Sequence, residues 1–128
     1  MKKMLSLLFL FSGISYLFAN PVTEATAKKV GLNFFASKVS STNLIAVKDM
    51  KLAYKQTNAS AVTCFYVFNT INTKGFVIIS ADDNCCPILG YSDESNFNPT
   101  NIPVQLKEML QGYTNQINYV IAKNNGGL

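Results

Sequence analysis

The chain has 128 residues, with eleven lysines, seven acidic residues and a formal net charge of +4. It contains no histidine, arginine or tryptophan. It therefore lacks the usual general base of a nucleophilic enzyme, the imidazole ligands of many zinc sites, and the side chain best suited to reading nucleic-acid bases. We accordingly expect no enzymatic activity, no metal site, no cofactor and no nucleic-acid partner.

The first nineteen residues have the pattern of a secretory signal peptide. Lys2 and Lys3 precede an apolar run from Leu5 to Phe18, and Ala19 is a small residue at a plausible cleavage point. The run is shorter than the ~20 apolar residues of a membrane-spanning helix; an uncleaved anchor is the alternative. Cleavage leaves residues 20–128 as a single domain. We expect this domain to be periplasmic or secreted, with no stable membrane association.

Residues 21–39 have the spacing of an amphipathic helix. Thr23 is a suitable N-cap. Apolar residues recur at helical intervals along one face: Ala27, Val30, Phe34 and Phe35.

Four later segments have the composition of β-strands: residues 44–56, 62–69, 76–80 and 88–92. In the first strand we expect Met50, Leu52 and Tyr54 on one face, because side chains alternate along a strand. Aromatic residues in the second and third could form a ligand-stacking platform, but core packing is the commoner use: Phe65, Tyr66, Phe68 and Phe76. Asp82, Asp83 and Asn84 lack the ligand spacing of a calcium loop and indicate a turn.

A polar loop over residues 92–101 leads to a second predicted helix, which Pro103 opens. Its apolar face comprises Leu106, Met109, Leu110, Tyr113, Ile117, Val120 and Ile121. These elements predict an α+β fold: a mostly antiparallel sheet of about four strands packed with an N-terminal and a C-terminal helix.

Cysteines occur at three positions: Cys64, Cys85 and Cys86. An exported protein can form disulfides, so Cys64 could bridge to either member of the adjacent pair. Alternatively, all three are free small residues. The spacing is not one that zinc sites use.

Residues 75–92, GFVIISADDNCCPILGYS, resemble the prodomain of streptopain, a secreted papain-like cysteine protease of bacteria. In that family an apolar strand follows Gly-Phe, then come a short Asp-bearing turn and Ile-Leu-Gly-Tyr-Ser. The chain ends soon after this region, so we expect it to contain the inhibitory part and no protease. The resemblance implies a member of the free-standing, Spi-like protease inhibitors related to this prodomain.

The pair Asn101-Ile102 resembles an Asn-Ile pair that precedes the same helix in the streptopain zymogen. The resemblance implies that Asn101 reaches toward the protease active centre, with Phe97, Asn98 and Ile102 as neighbouring contacts. Alternatively, Asn101 satisfies free N–H groups at the helix start. The implied partner is a streptopain-like cysteine protease, bound non-covalently by a monomer. Two alternatives are a folding assistant derived from a prodomain and a surface-binding module unrelated to proteases.

Overall fold

The structure is a computed structural model that describes residues 21–39 and 48–124. Two helices and four strands follow in the order α1 (Glu24–Val39), β1 (Met50–Thr57), β2 (Thr63–Thr70), β3 (Phe76–Ser80), β4 (Ile88–Ser92) and α2 (Val104–Asn124). The strands form one antiparallel sheet in the order β1-β2-β3-β4. The predicted α+β fold is confirmed. The predicted signal peptide lies outside the described residues.

Helix α1 begins three residues later than its predicted start. Val22 donates its backbone N–H to the Ala81 carbonyl at 2.8 Å, and Pro21 forms an isolated bridge with Asp82. These residues therefore pair with the two residues that follow β3 instead of joining the helix. Thr23 is the N-cap as predicted, because its Oγ1 accepts the Thr26 N–H at 3.3 Å.

The sheet has two covered faces, and alternation along β2 and β3 assigns the side chains to them. The face toward α1 contains Tyr66, Phe68, Val77 and Ile79, packed with Ala27 and Phe35 of α1. The face toward α2 contains Phe65, Val67, Phe76 and Ile78, packed with Leu110 and Ile117 of α2. The predicted core role of the aromatic residues is confirmed, since all four are buried.

The first strand differs from its prediction in extent and in alternation. Residues 48 and 49 are not strand, and the predicted stretch 44–47 lies outside the described residues. Met50 and Leu52 pack on the α1 side, but Tyr54 packs on the α2 side. The reason is a β-bulge: Leu52 pairs with Phe68 and Tyr54 with Val67, so Ala53 is an extra residue that resets the alternation.

Helix α2 departs from its predicted apolar face most clearly at Met109. Leu106, Tyr113 and Ile121 pack against the core as expected. Met109 is 44% exposed, because one step of 100° from buried Leu110 carries it off the sheet-facing side. Neither described helix is long and apolar enough to span a membrane.

The three cysteines are free thiols in this structure, which favours the second of the two sequence interpretations. Cys64 is buried, Cys85 half-buried and Cys86 exposed. Burial raises the pKa of the Cys64 and Cys85 thiols. Within the described residues, no three His, Cys, Asp or Glu side chains are grouped to hold a metal ion.

Candidate functional site

The candidate site is the connection between the last strand and the second helix, residues 93–103, here called the β4–α2 loop. Most of its residues are exposed, but Phe97 is buried and Ile102 is half-buried. Both pack into the core on the α2 side of the sheet. The loop is therefore attached at two points, with the exposed residues Asn98–Asn101 between them.

Phe97 corrects the sequence prediction for its side chain. It is 3% exposed, with its ring edge-on to Phe76 at a centroid distance of 5.7 Å and tilted against Tyr54 at 5.8 Å. Burying an aromatic ring removes a large apolar area from water. The side chain is thus part of this protein's own core and is not presented to a partner.

Asn69, near the end of β2, holds the backbone of Phe97 in both directions. Its Nδ2 donates to the Phe97 carbonyl at 2.9 Å, and its Oδ1 accepts the Phe97 N–H at 2.7 Å. A side-chain amide offers a donor and an acceptor side by side. The Asn69 side chain therefore pairs with the Phe97 backbone as a neighbouring strand would, although the two residues are 28 positions apart in sequence.

A second amide fixes the residue before Phe97. Asn96 accepts the backbone N–H of Gly75 through Oδ1 at 2.9 Å. Gly75 is closely enclosed, since a Cβ atom there would lie 2.8 Å from the Ser92 carbonyl oxygen. The start of the loop is thus fastened to the β2–β3 turn.

The exposed segment is a compact turn. The Asn101 N–H donates to the Asn98 carbonyl at 3.2 Å, which closes a four-residue β-turn. The Asn98 Oδ1 accepts the Thr100 N–H at 3.1 Å and the Thr100 hydroxyl at 2.8 Å. Pro99 occupies the second turn position, where its fixed φ is favoured. The Oδ1 atom of Asn98 thereby holds the turn.

Asn101 lies exposed at the end of this turn. Within the described part of the chain, no group lies at hydrogen-bonding distance from its side-chain amide. The capping alternative is not realised in the described residues, because no N–H group in the first turn of α2 donates a hydrogen bond to the Asn101 side chain; the regular helical bonds begin with Lys107 donating to the Pro103 carbonyl at 2.9 Å. The Asn101 amide is therefore a free donor and acceptor on a fixed backbone.

Chemically, this arrangement is suited to binding. The side chains from residue 95 to residue 103 are amides, hydroxyls and apolar groups. Because the chain has no histidine, the Ser95 and Thr100 hydroxyls have no imidazole to activate them. An exposed turn on a buried base can present hydrogen-bonding groups to a partner with little loss of conformational entropy.

The sequence prediction missed the residues that position the loop: Asn69, Asn96 and Gly75. Asn69 read as an ordinary polar residue at a strand end. Nothing in its neighbourhood indicates a partner 28 residues away. The sequence places the Gly75-Phe76 pair at the start of a strand, but the steric need for glycine depends on the Ser92 carbonyl, 17 positions later.

Comparison with known proteins identifies the family. A family model described as Spi protease inhibitor matches residues 19–117, which include the sheet, the β4–α2 loop and much of α2. A thiol protease/hemagglutinin, PrtT, from Porphyromonas gingivalis is 31% identical over 100 residues, which span 77% of this chain and 11% of that protein. No solved structure matches. The chain belongs to the Spi protease inhibitor family.

Proposed function

We propose that this protein is an inhibitor of a streptopain-like cysteine protease. It places the β4–α2 loop in the active-site cleft and binds without forming a covalent bond. Asn101 contributes its free amide near the catalytic cysteine of the enzyme, and the neighbouring exposed residues, Asn98 among them, contact the walls of the cleft. Ile102, half-buried in the protein's own core, offers only its outer edge.

The observation that supports this proposal most directly is the exposed turn on two buried attachments. A loop that is ordered before binding loses little entropy on docking. A standard protease–inhibitor interface covers about 1,600 Å² in total, which a domain of this size can supply. Membership of the Spi protease inhibitor family supports a protease as the partner. The similarity to a protein named as a thiol protease favours a cysteine protease.

The test is a titration of a purified streptopain-like protease with the purified protein. We expect stoichiometric loss of peptide cleavage that reverses on dilution. The Asn101→Ala variant is expected to raise the inhibition constant about tenfold, because a hydrogen bond lost at a desolvated contact costs about 1–3 kcal/mol.

The matched control is Asn33→Ala. Asn33 is also an exposed asparagine, but it lies on α1, away from the β4–α2 loop. This variant should inhibit like the unchanged protein. Equal inhibition constants for Asn101→Ala and the unchanged protein would remove the role of Asn101, and a complete lack of inhibition would overturn the proposal as a whole.

We also propose that the protein is exported and loses residues 1–19. The support is the charged start, the apolar run and Ala19. N-terminal sequencing of the protein recovered from the periplasm or the medium should begin at Asn20. Recovery of uncleaved protein from the membrane fraction would favour the anchor instead.

A second candidate is a folding assistant for such a protease. The similarity to a segment making up 11% of a much longer thiol protease favours it, since a prodomain can guide its own enzyme. Refolding the denatured protease with and without the protein separates the two roles. After removal of the protein, a folding assistant leaves more recovered activity, whereas an inhibitor leaves the yield unchanged.

A further inference from the structure

An exposed polar loop is normally the first place that a protease cuts. Cleavage adds one water across a peptide bond and leaves a new carboxylate and a new amine. It favours loop tips that can open locally and adopt an extended form. The β4–α2 loop is rich in Asn, Ser, Thr and Pro, so its composition alone marks it as a substrate. An inhibitor that presents this loop to a protease needs a feature that prevents opening.

The exposed part of the loop has few backbone groups left for an extended pairing. Extended peptides are recognised largely through their main-chain hydrogen bonds. Pro99 and Pro103 have no N–H. The Thr100 and Asn101 N–H groups are already bonded within the turn, at 3.1 and 3.2 Å. A protease can pair with this segment as with a substrate only after the turn has opened.

Opening the turn also requires releasing its anchor. Phe97 is 3% exposed, and both backbone groups of this residue are bonded to the amide of Asn69. Asn69 lies near the end of the interior strand β2, where it is paired with Lys51 of β1 and with Phe76 of β3. The free energy of opening the loop thus includes the loss of two hydrogen bonds to one side chain of the sheet, in addition to the exposure of Phe97.

We propose that Asn69 is a positioning residue that locks the β4–α2 loop in a conformation that proteases do not cleave. The relevance of this lock to a cysteine protease rests on the proposed function. The lock itself is a property of the folded chain. It explains how this loop could remain uncleaved in the cleft, whereas a flexible peptide of the same sequence would be cleaved as a substrate.

The experiment compares Asn69→Ala with the unchanged protein at a temperature well below both unfolding transitions. With a streptopain-like protease, the unchanged protein should inhibit steadily, whereas Asn69→Ala should inhibit at first and then lose effect as it is cut. Mass spectrometry should locate the new ends between residues 97 and 102. The cleavage rate should rise about 10- to 100-fold, since two buried backbone groups lose their partner.

Asn58→Ala is the matched control. Asn58 also holds a loop through its side chain, accepting the N–H groups of Ser60 and Val62 at 2.9 and 3.0 Å, but at the opposite end of the sheet. This variant loses those two bonds and a third, which Asn58 Nδ2 donates to Asn118 Oδ1 of α2 at 3.1 Å. It should leave residues 97–102 intact, so it separates a local lock from a general loss of stability. Equal cutting of both variants at residues 97–102 would overturn the proposal, as would an Asn69→Ala variant as durable as the unchanged protein.

Two further measurements do not depend on the target enzyme. Hydrogen exchange of the Phe97 and Asn101 amides, and nicking by a broad-specificity serine protease, should both rise in Asn69→Ala. If the unchanged protein inhibits no cysteine protease, the proposed function fails, whereas these two measurements still support or overturn the lock. If Asn69→Ala does not fold, Asn96→Ala removes only the Gly75 contact and should increase nicking in the same segment, by a smaller factor.

Discussion

The two faces of the sheet are packed by helices, but in different ways. On one face α1 lies close to the strands: a Cβ atom at Gly31 would lie 3.0 Å from Val77 Cγ1 and 3.1 Å from Met50 Sδ. On the other face α2 shares the space with the buried Phe97 of the β4–α2 loop. Packing on the α1 face therefore contributes only to stability. Packing on the α2 face contributes to stability and also fixes the conformation of the β4–α2 loop.

The strongest test of this difference truncates one phenylalanine on each face. Phe68→Ala on the α1 face and Phe97→Ala on the α2 face should each lower the free energy of unfolding by about 3–5 kcal/mol. At equal concentrations of folded protein, only Phe97→Ala should weaken inhibition. Urea unfolding gives the first quantity and protease titration the second.

Milder variants, Phe68→Leu and Phe97→Leu, keep more of the protein folded if the alanine variants do not fold. Because Phe68 packs in the core cluster on the α1 face, which includes no residue of the β4–α2 loop, its replacement serves as the control. If replacements of Phe68 and Phe97 impaired inhibition equally, the distinction between the two faces would be lost.

A smaller effect is expected from adding one methyl group to each helix. Gly112 of α2 has nothing within 4 Å of a Cβ position. Gly112→Ala should stabilise the protein by about 0.5–1 kcal/mol through helix propensity alone. Gly31→Ala gains the same propensity but crowds buried Val77 and Met50, and overpacking costs about 1–3 kcal/mol. Thermal unfolding should thus move in opposite directions for the two variants, and stabilisation by Gly31→Ala would show that α1 is less tightly packed than described.

Thiol labelling can report on the α2 face without altering stability. Cys86 is exposed and should react first with a thiol reagent; Cys85 should follow more slowly, since burial raises its pKa and lowers its thiolate fraction. Cys64 is 0% exposed and should react only when the α2 face opens. Its labelling should accelerate in Phe97→Ala and much less in Gly31→Ala. A Cys64 that reacts as fast as Cys86 in the unchanged protein would contradict the burial.

The smallest expected effect concerns the ion pair that joins α1 to the residue before β1. Lys28 Nζ lies 2.8 Å from Asp49 Oδ1, and hydrogen bonds from Lys28 and from the Met50 N–H lower the pKa of Asp49 below its ordinary 3.8. A depressed pKa stabilises the folded state above the ordinary value, and this contribution disappears as pH falls through the folded pKa. Both side chains are solvent-accessible, so the contribution is small.

The stability difference between the unchanged protein and Asp49→Asn should therefore be present at pH 7 and vanish in acid. At either pH, equal amounts of folded Asp49→Asn and folded unchanged protein should inhibit the protease equally. A difference that persists below the folded pKa of Asp49 would mean that the carboxylate charge is not its source.

The sequence was sufficient for the parts of the fold that depend on local patterns. The aromatic and β-branched composition of β2 and β3, the N-cap at Thr23 and the apolar stripe of α2 are each visible in residues a few positions apart. The site was less accessible, because its geometry depends on distant partners. Phe97 in a polar loop read as an exposed anchor, and its burial follows only from the space between Tyr54 and Phe76. The role of Asn101 stays a prediction.

The extra residue Ala53 lets one strand serve both cores, because it turns Tyr54 from the α1 side to the α2 side. Removing Ala53 would make the strand more regular but would lower the stability of the protein. Tyr54 would point to the wrong side of the sheet and leave a void beneath Phe97. An irregularity 44 positions before Phe97 in sequence thus helps to support the β4–α2 loop, and we expect a change in the length of β1 to disturb the packing of Phe97.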